Sequence, residues 1–204
     1  MQSHYAEWLA FITQAQPKRA AHCVQVAEMA VQLAEKLGLD KAAAYEAGLL
    51  HDCAKGLPQE EQRALMAQWR GGLDLTDFPK LWHAPASAVL ARERWQVCET
   101  VQWAIARHAP AQPGMTVLQK VIYAADKTEP TRTYAGAKKL HDAVWRDFET
   151  GFAMVVADEA AGMLRQFRTV HPAVIEGWNQ YIRELYGDMP HGTKSTTRRT
   201  NAQD

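Results

Sequence analysis

A chain of 204 residues suits one ample domain, which buries most of its apolar surface without help from disulfides. Hydrophobic residues make up 47% and charged residues 23%, the proportions of a globular protein, which excludes a disordered or fibrous class. Lys+Arg and Asp+Glu balance at 23 each, so no global positive field draws the chain to nucleic acid or an anionic membrane, and a polyanionic substrate must meet local cations or a metal.

The N-terminal stretch MQSHYAEWLAFITQAQ carries His, Glu and Gln through its apolar part, unlike a signal peptide. From residue 22 to 36, Val24, Ala27, Ala30, Val31 and Ala34 recur at three- and four-residue steps, which predicts an amphipathic helix ended by Gly38. Asp40 is placed to cap the next helix, expected over KAAAYEAGLLHDCAK and stopped by Gly56-Leu57-Pro58. A helix over 58–69 and a loop over 71–79 follow, then helices near 83–95, 98–108 and 116–128. Residues 137–146 and 148–168 carry helical periodicity, and Pro172 opens a last helix over 173–186. No alternating β-branched run predicts a sheet. The expected architecture is all-α, one compact helical bundle over 1–186 with a polar, disordered tail over 187–204.

No stretch reaches the roughly 18 apolar residues of a membrane span. The three cysteines, Cys23, Cys53 and Cys98, form no disulfide framework. A reducing cytoplasm is the expected compartment. The tryptophans read as packing residues, with Trp82 singled out because it adjoins His83.

The chemistry concentrates in AGLLHDCAKGLP, where His51 and Asp52 stand side by side at the end of an apolar helix. Neighbours on a helix point about 100° apart, so the pair either converges on one ion with help from other helices or places Asp52 between two ions. His22 beside the first stripe and Asp126 in VIYAADKTEP are the further candidates. An acid interrupting an apolar face needs a cation or a hydrogen-bonded partner, and Lys127 or Arg132 is an alternative partner for Asp126. Imidazole mixed with carboxylate suits iron, manganese, zinc or magnesium, and the lack of thiolate disfavours a closed structural zinc site.

The pattern H…HD…D, made here by His22, His51-Asp52 and Asp126, resembles the HD-domain phosphohydrolase superfamily. RAAHCVQVAEMAVQLAEKLGLD, AGLLHDCAKGLP, LWHAPASAVLARE, ARHA…PGMTVLQKVIYAADKTEPTR and VHPAVIEGWN, in that order, are similar to its YqeK subfamily over about residues 10–180. That resemblance implies symmetrical hydrolysis of dinucleoside tetraphosphates, diadenosine tetraphosphate going to two ADP. It implies two divalent ions, iron first, with manganese, magnesium or zinc as alternatives. It also implies that His83 and His108 serve the second ion, with Asp52 shared.

For the phosphate chain, Lys55 is the first candidate cation and shares a catalytic role with Asp52; Arg19 and Arg132 are next. Glu129 orients a water or pairs with these bases, and His171 reaches the phosphates or the leaving group. The expected partner is a small nucleotide, with no nucleic acid and no membrane; the helical surfaces permit a homodimer. Two departures bear on substrate preference: Ala109-Pro110-Ala111 stands where the family carries hydroxyls after His108, and Ala20 stands where it carries an aromatic. The alternatives are another HD-type phosphohydrolase acting on a dNTP, a nucleoside monophosphate or a guanosine alarmone, and a regulator that binds metal and nucleotide without turnover.

Overall fold

Tyr5, Trp8 and Ile12, spaced three and four apart, turn one face of the first helix inward. This helix, α1 (Ser3–Ala15), was not singled out by the sequence. The structure is a computed structural model that describes residues 3–187. The tail expected over 187–204 lies outside the described residues except for Gly187.

The amphipathic stripe forms α2 (Pro17–Leu37), with Pro17 in its first turn and Gly38 closing it at φ 69°. It begins earlier than the stripe alone indicated, so His22 lies within the helix. The Asp40 side chain accepts from the Ala42 and Ala43 amides and caps α3 (Lys41–Leu50).

That helix ends at Leu50, not at Lys55 as expected. The Ala54 amide donates to Ser87 Oγ instead of continuing the ladder. Residues 50–57 are joined by tighter bonds from Cys53 to Leu50, Lys55 to Asp52 and Leu57 to Ala54. His51 and Asp52 therefore stand on a tightened turn at the end of α3.

The chain continues through α4 (Gln59–Met66), a 3-10 turn (Pro79–Leu81), α5 (His83–Trp95) and α6 (Glu99–Ala106). α6 stops short of His108 because Pro110 and the residue before it resist helical backbone. α7 (Val117–Thr128) starts with a Thr116–Gln119 capping box and is buried along almost its whole length. α8 (Ala137–Arg146), α9 (Phe148–Arg165) and α10 (Pro172–Tyr186) complete the chain. Among the described residues there is no strand, and the all-α expectation holds. None of these helices is long and apolar enough to cross a membrane.

α7 is the axis of the bundle: α2, α3, α6, α8 and α9 all pack on it, while α5 joins α4 to α6 and α10 rests on α9. α2 and α3 approach most closely at Gly48, where an added Cβ would meet the Ala27 Cα at 2.7 Å. This contact sets the distance between the helix that carries His22 and the turn that carries His51. Gly48→Ala must push the two helices apart. It is expected to lower stability by about 1–3 kcal/mol in urea unfolding. Unchanged stability would show that the contact tolerates a methyl group.

Candidate metal centre

The structure brings all six sequence-predicted metal ligands to one buried cluster. His22 comes from α2, His51 and Asp52 from the turn after α3, and His83 from the first residue of α5. His108 comes from just beyond α6, and Asp126 from the last turns of α7. Three sets of ligand atoms each lie within 4.8 Å of one another: His22, His51 and Asp52; His51, His108 and Asp126; Asp52, His83 and His108.

Asp52 stands at the middle. Its Oδ1 lies 3.3 Å from His83 Nε2 and 3.5 Å from His108 Nε2, and its Oδ2 lies 3.4 Å from His51 Nε2. Asp126 Oδ1 lies 3.1 Å from His22 Nε2 and 3.6 Å from His51 Nε2.

The orientation of the rings fits a metal. His51, His83 and His108 each commit Nδ1 to the carbonyl three residues earlier: Gly48 at 2.7 Å, Lys80 at 2.9 Å and Ile105 at 2.7 Å. An Nδ1–H donor in each case leaves Nε2 with its lone pair, facing the cluster. His22 differs: its Nδ1 meets Glu129 Oε1 at 3.1 Å. Glu129 is itself buried and held by the Thr131 amide and hydroxyl at 2.6 and 2.8 Å. A carboxylate behind an imidazole fixes the ring and raises its basicity, as at many metal sites. His51 Nε2 is buried without a hydrogen-bond partner, since both neighbouring carboxylates lie beyond hydrogen-bond length. The donor set is compatible with a divalent cation.

Burial alone would push the two carboxyls up. Instead the neighbouring cations and imidazoles hold both well below the usual carboxylate range: His51 and His108 for Asp52, and Lys127, His22 and His51 for Asp126. Burial also pulls His51 down, but the two carboxylates override it and push this imidazole up to about 9, so a cation bound at Nε2 would displace the proton that the carboxylates otherwise hold there. Burial holds His83 and His108 below the ordinary histidine value, which leaves them neutral and able to bind metal. Cys53 adjoins Asp52 in sequence, but burial pushes its thiol up to about 12, so it offers no thiolate.

A ring of cations surrounds the carboxylates. Arg19 reaches Asp52 at 2.5 Å and Lys55 reaches it at 3.1 Å. Arg132 meets Asp126 Oδ1 at 2.8 Å and also its backbone carbonyl. Lys127, which the sequence offered only as an ion-pair partner, closes the other side of Asp126 at 2.8 Å.

His171 lies farther out. Its Nδ1 accepts from the Ala173 amide at 3.1 Å and its Nε2 bonds the Asp74 carbonyl at 3.1 Å, so neither nitrogen is free for the neighbouring cavity that His171 lines. Trp82 donates to the Leu75 carbonyl at 2.7 Å and ties down the loop before α5. Phe78 and Lys80, which line the same cavity as His171, sit outside any periodic stripe; Phe167 fell within the helix expected over 148–168, which ends instead at Arg165, and none of the three had a site signal in the sequence.

An all-α bundle with a buried histidine–carboxylate cluster at its centre defines a class of metal-dependent hydrolase folds. The HD domain family matches residues 19–131, and the chain belongs to that family. A symmetrical bis(5'-nucleosyl)-tetraphosphatase of Bacillus subtilis is 33% identical over 166 residues, covering 80% of this chain and 89% of the relative. A protein of the same name from Halalkalibacterium halodurans is 29% identical, covering 81% of this chain and 90% of the relative. Among solved structures, a Clostridium acetobutylicum protein described as a predicted HD superfamily hydrolase involved in NAD metabolism superposes with TM-score 0.82 at 29% identity, covering 88% of this chain and 97% of that one.

If Glu129 fixes a metal-binding ring, Glu129→Gln is expected to weaken divalent-metal affinity by roughly 10–100-fold in a competition titration. Wild-type affinity in that variant would assign Glu129 to local folding alone.

Proposed function

We propose that this chain hydrolyses dinucleoside tetraphosphates at the central anhydride, releasing ADP twice from diadenosine tetraphosphate. The relatives that carry this activity in their names span most of their own length on this chain. The observation that carries the proposal is the position of the donor cluster between cavities.

The His22 end of the cluster opens on a cavity of about 560 Å³ lined by Gln16, Pro17, Arg19 and Arg132. The His83 end opens on one of about 630 Å³ that Lys55 and Lys127 also line. A third, of about 350 Å³, shares Arg19 and Arg132 with the first and Lys55, Asp126 and Lys127 with the second. A substrate cut at its midpoint needs room on both sides of the reacting phosphorus, and a mononucleotide does not.

In this proposal His22, His51, Asp52 and Asp126 hold one divalent ion, and Asp52, His83 and His108 hold a second. Iron is the first choice on the family resemblance, with manganese, magnesium or zinc as ions that the donors also accept. Such ions lower the pKa of water and polarise phosphoryl oxygens. The chain's own residues supply the rest.

Glu129 keeps the His22 ring in place. Asp52 and Asp126 set the negative charge of the floor. Arg19, Lys55 and Arg132 are each about one-third exposed and paired with a floor carboxylate, so they sit where a phosphate chain can compete for them. Arginine offers a fork to two phosphate oxygens and lysine a point charge. Water attacks an inner phosphorus, the P–O bond to the central bridging oxygen breaks, and a nucleoside diphosphate departs with its charge met by these cations.

Purified protein supplied with Fe(II), Mn(II) or Mg(II) is expected to convert diadenosine tetraphosphate to ADP, with label from isotopic water in ADP alone. His51→Ala should cut turnover by more than the roughly 10–100-fold that loss of an outer partner costs. Label appearing in AMP and ATP would contradict central cleavage. Turnover of mononucleotides without turnover of the dinucleotide would move the substrate to the alternative phosphohydrolases of this fold.

A further inference from the structure

α9 ends at Arg165 in a turn where the Arg168 amide bonds the Met163 carbonyl and the Phe167 amide bonds the Leu164 carbonyl, both at 3.0 Å. This pairing puts Phe167 at the position that helices ordinarily give to glycine, because the backbone there is left-handed. Phe167 has φ 52°. The same place after α2 is filled by Gly38. A bulky residue in this conformation is strained, and burial does not offset the strain, because Phe167 is 99% exposed. An exposed aromatic held in a strained turn therefore does nothing for the fold, and strain of this kind gathers at ligand sites.

Its surroundings say which ligand. Phe167 stands at the rim of the 630 Å³ cavity that begins at His83 and Lys55. Phe78 lines the same cavity and packs on the His171 ring, with centroids 4.7 Å apart. Both His171 nitrogens are taken by backbone groups, so this ring is locked and presents a face. Lys80 and Arg168 line the same cavity, as do the carboxylates Asp77, Asp158 and Glu159, the last of them met by Tyr123 and Lys127. Aromatic rings in a cavity that also carries Lys55, Lys80, Lys127 and Arg168 suit a base joined to a phosphate chain.

We infer that Phe167 and the Phe78–His171 pair form a nucleobase subsite, which stacks the base of one nucleoside diphosphate half while the other half lies over the polar Arg19 side. This inference rests on the proposed substrate class. It makes the two arms unequal: one held by stacking, the other by charge. Stacking reads a π face and not a hydrogen-bond pattern, so the subsite grips purine bases with little discrimination between them.

The test compares wild-type protein with Phe167→Gly and Phe167→Trp, using ADP and base-free tripolyphosphate as probes in equilibrium titrations. Phe167→Gly relieves the strained turn, so its thermal midpoint is expected to equal or exceed that of the wild type. Its Kd for ADP is expected to rise roughly tenfold or more, the loss of one base stack, while the Kd for tripolyphosphate stays put. Phe167→Trp should keep ADP affinity. An ADP Kd within twofold of wild type in Phe167→Gly, an equal weakening of tripolyphosphate, or a change of oligomeric state in its place would overturn the subsite. The titrations read the subsite even if wild-type protein fails to cut diadenosine tetraphosphate, a result that would count against the proposed function alone.

Discussion

Two carboxylates, Asp52 and Asp126, lie buried within reach of the same imidazole, and the rest of the molecule is arranged around the cost of that. Each would be expelled or protonated in an apolar interior without positive charge beside it. Asp52 meets His51, His83, His108, Arg19 and Lys55, while Asp126 meets His22, His51, Lys127 and Arg132. These partners come from α2, the turn after α3, the start of α5, the segment after α6, α7 and the segment that follows it. Helices of a bundle need only bury their apolar stripes; these must also end at set points so that the side chains converge. Gly48 against Ala27, Ser87 on the Ala54 amide, and Pro110 after His108 set three of those points.

The helices were legible because their apolar residues keep a 3.6-residue period over long stretches, as in α2 and α7. What escaped was what periodicity does not encode. The helix expected through Lys55 ends at Leu50 because Ser87, distant in sequence, takes a single amide. α1 keeps the same period in Tyr5, Trp8 and Ile12 but over only 13 residues, so its stripe is short. His22, His51, Asp52 and Asp126 stood out as polar groups on or beside apolar faces, whereas His83 and His108 entered only through family resemblance. The structure places all six within one cluster. Glu129 was visible as an acid one turn after Asp126, but its place behind His22 depends on how α2 crosses α7.

The polar side chains around the cluster fall into two groups with different work. Asp52, Asp126, Glu129, His51, His83 and His108 are buried and His22 nearly so; backbone carbonyls or one another hold them in place. Arg19, Lys55 and Arg132 are part-exposed and face open space, so they can exchange a carboxylate for a phosphate. Farther out, Phe78, Phe167 and His171 line the larger cavity with their rings. The sequence carries the buried centre, the part-exposed cations and the aromatic rings in separate segments, and only the fold brings them together.

The proposed function requires the buried cluster to hold two ions. Anomalous scattering at the iron edge, from crystals grown without added metal, tests it most directly because it reports number, identity and ligands together. Two peaks are expected, one among His22, His51, Asp52 and Asp126 and the other among Asp52, His83 and His108. A single ion, or metal bound anywhere but this cluster, would contradict it.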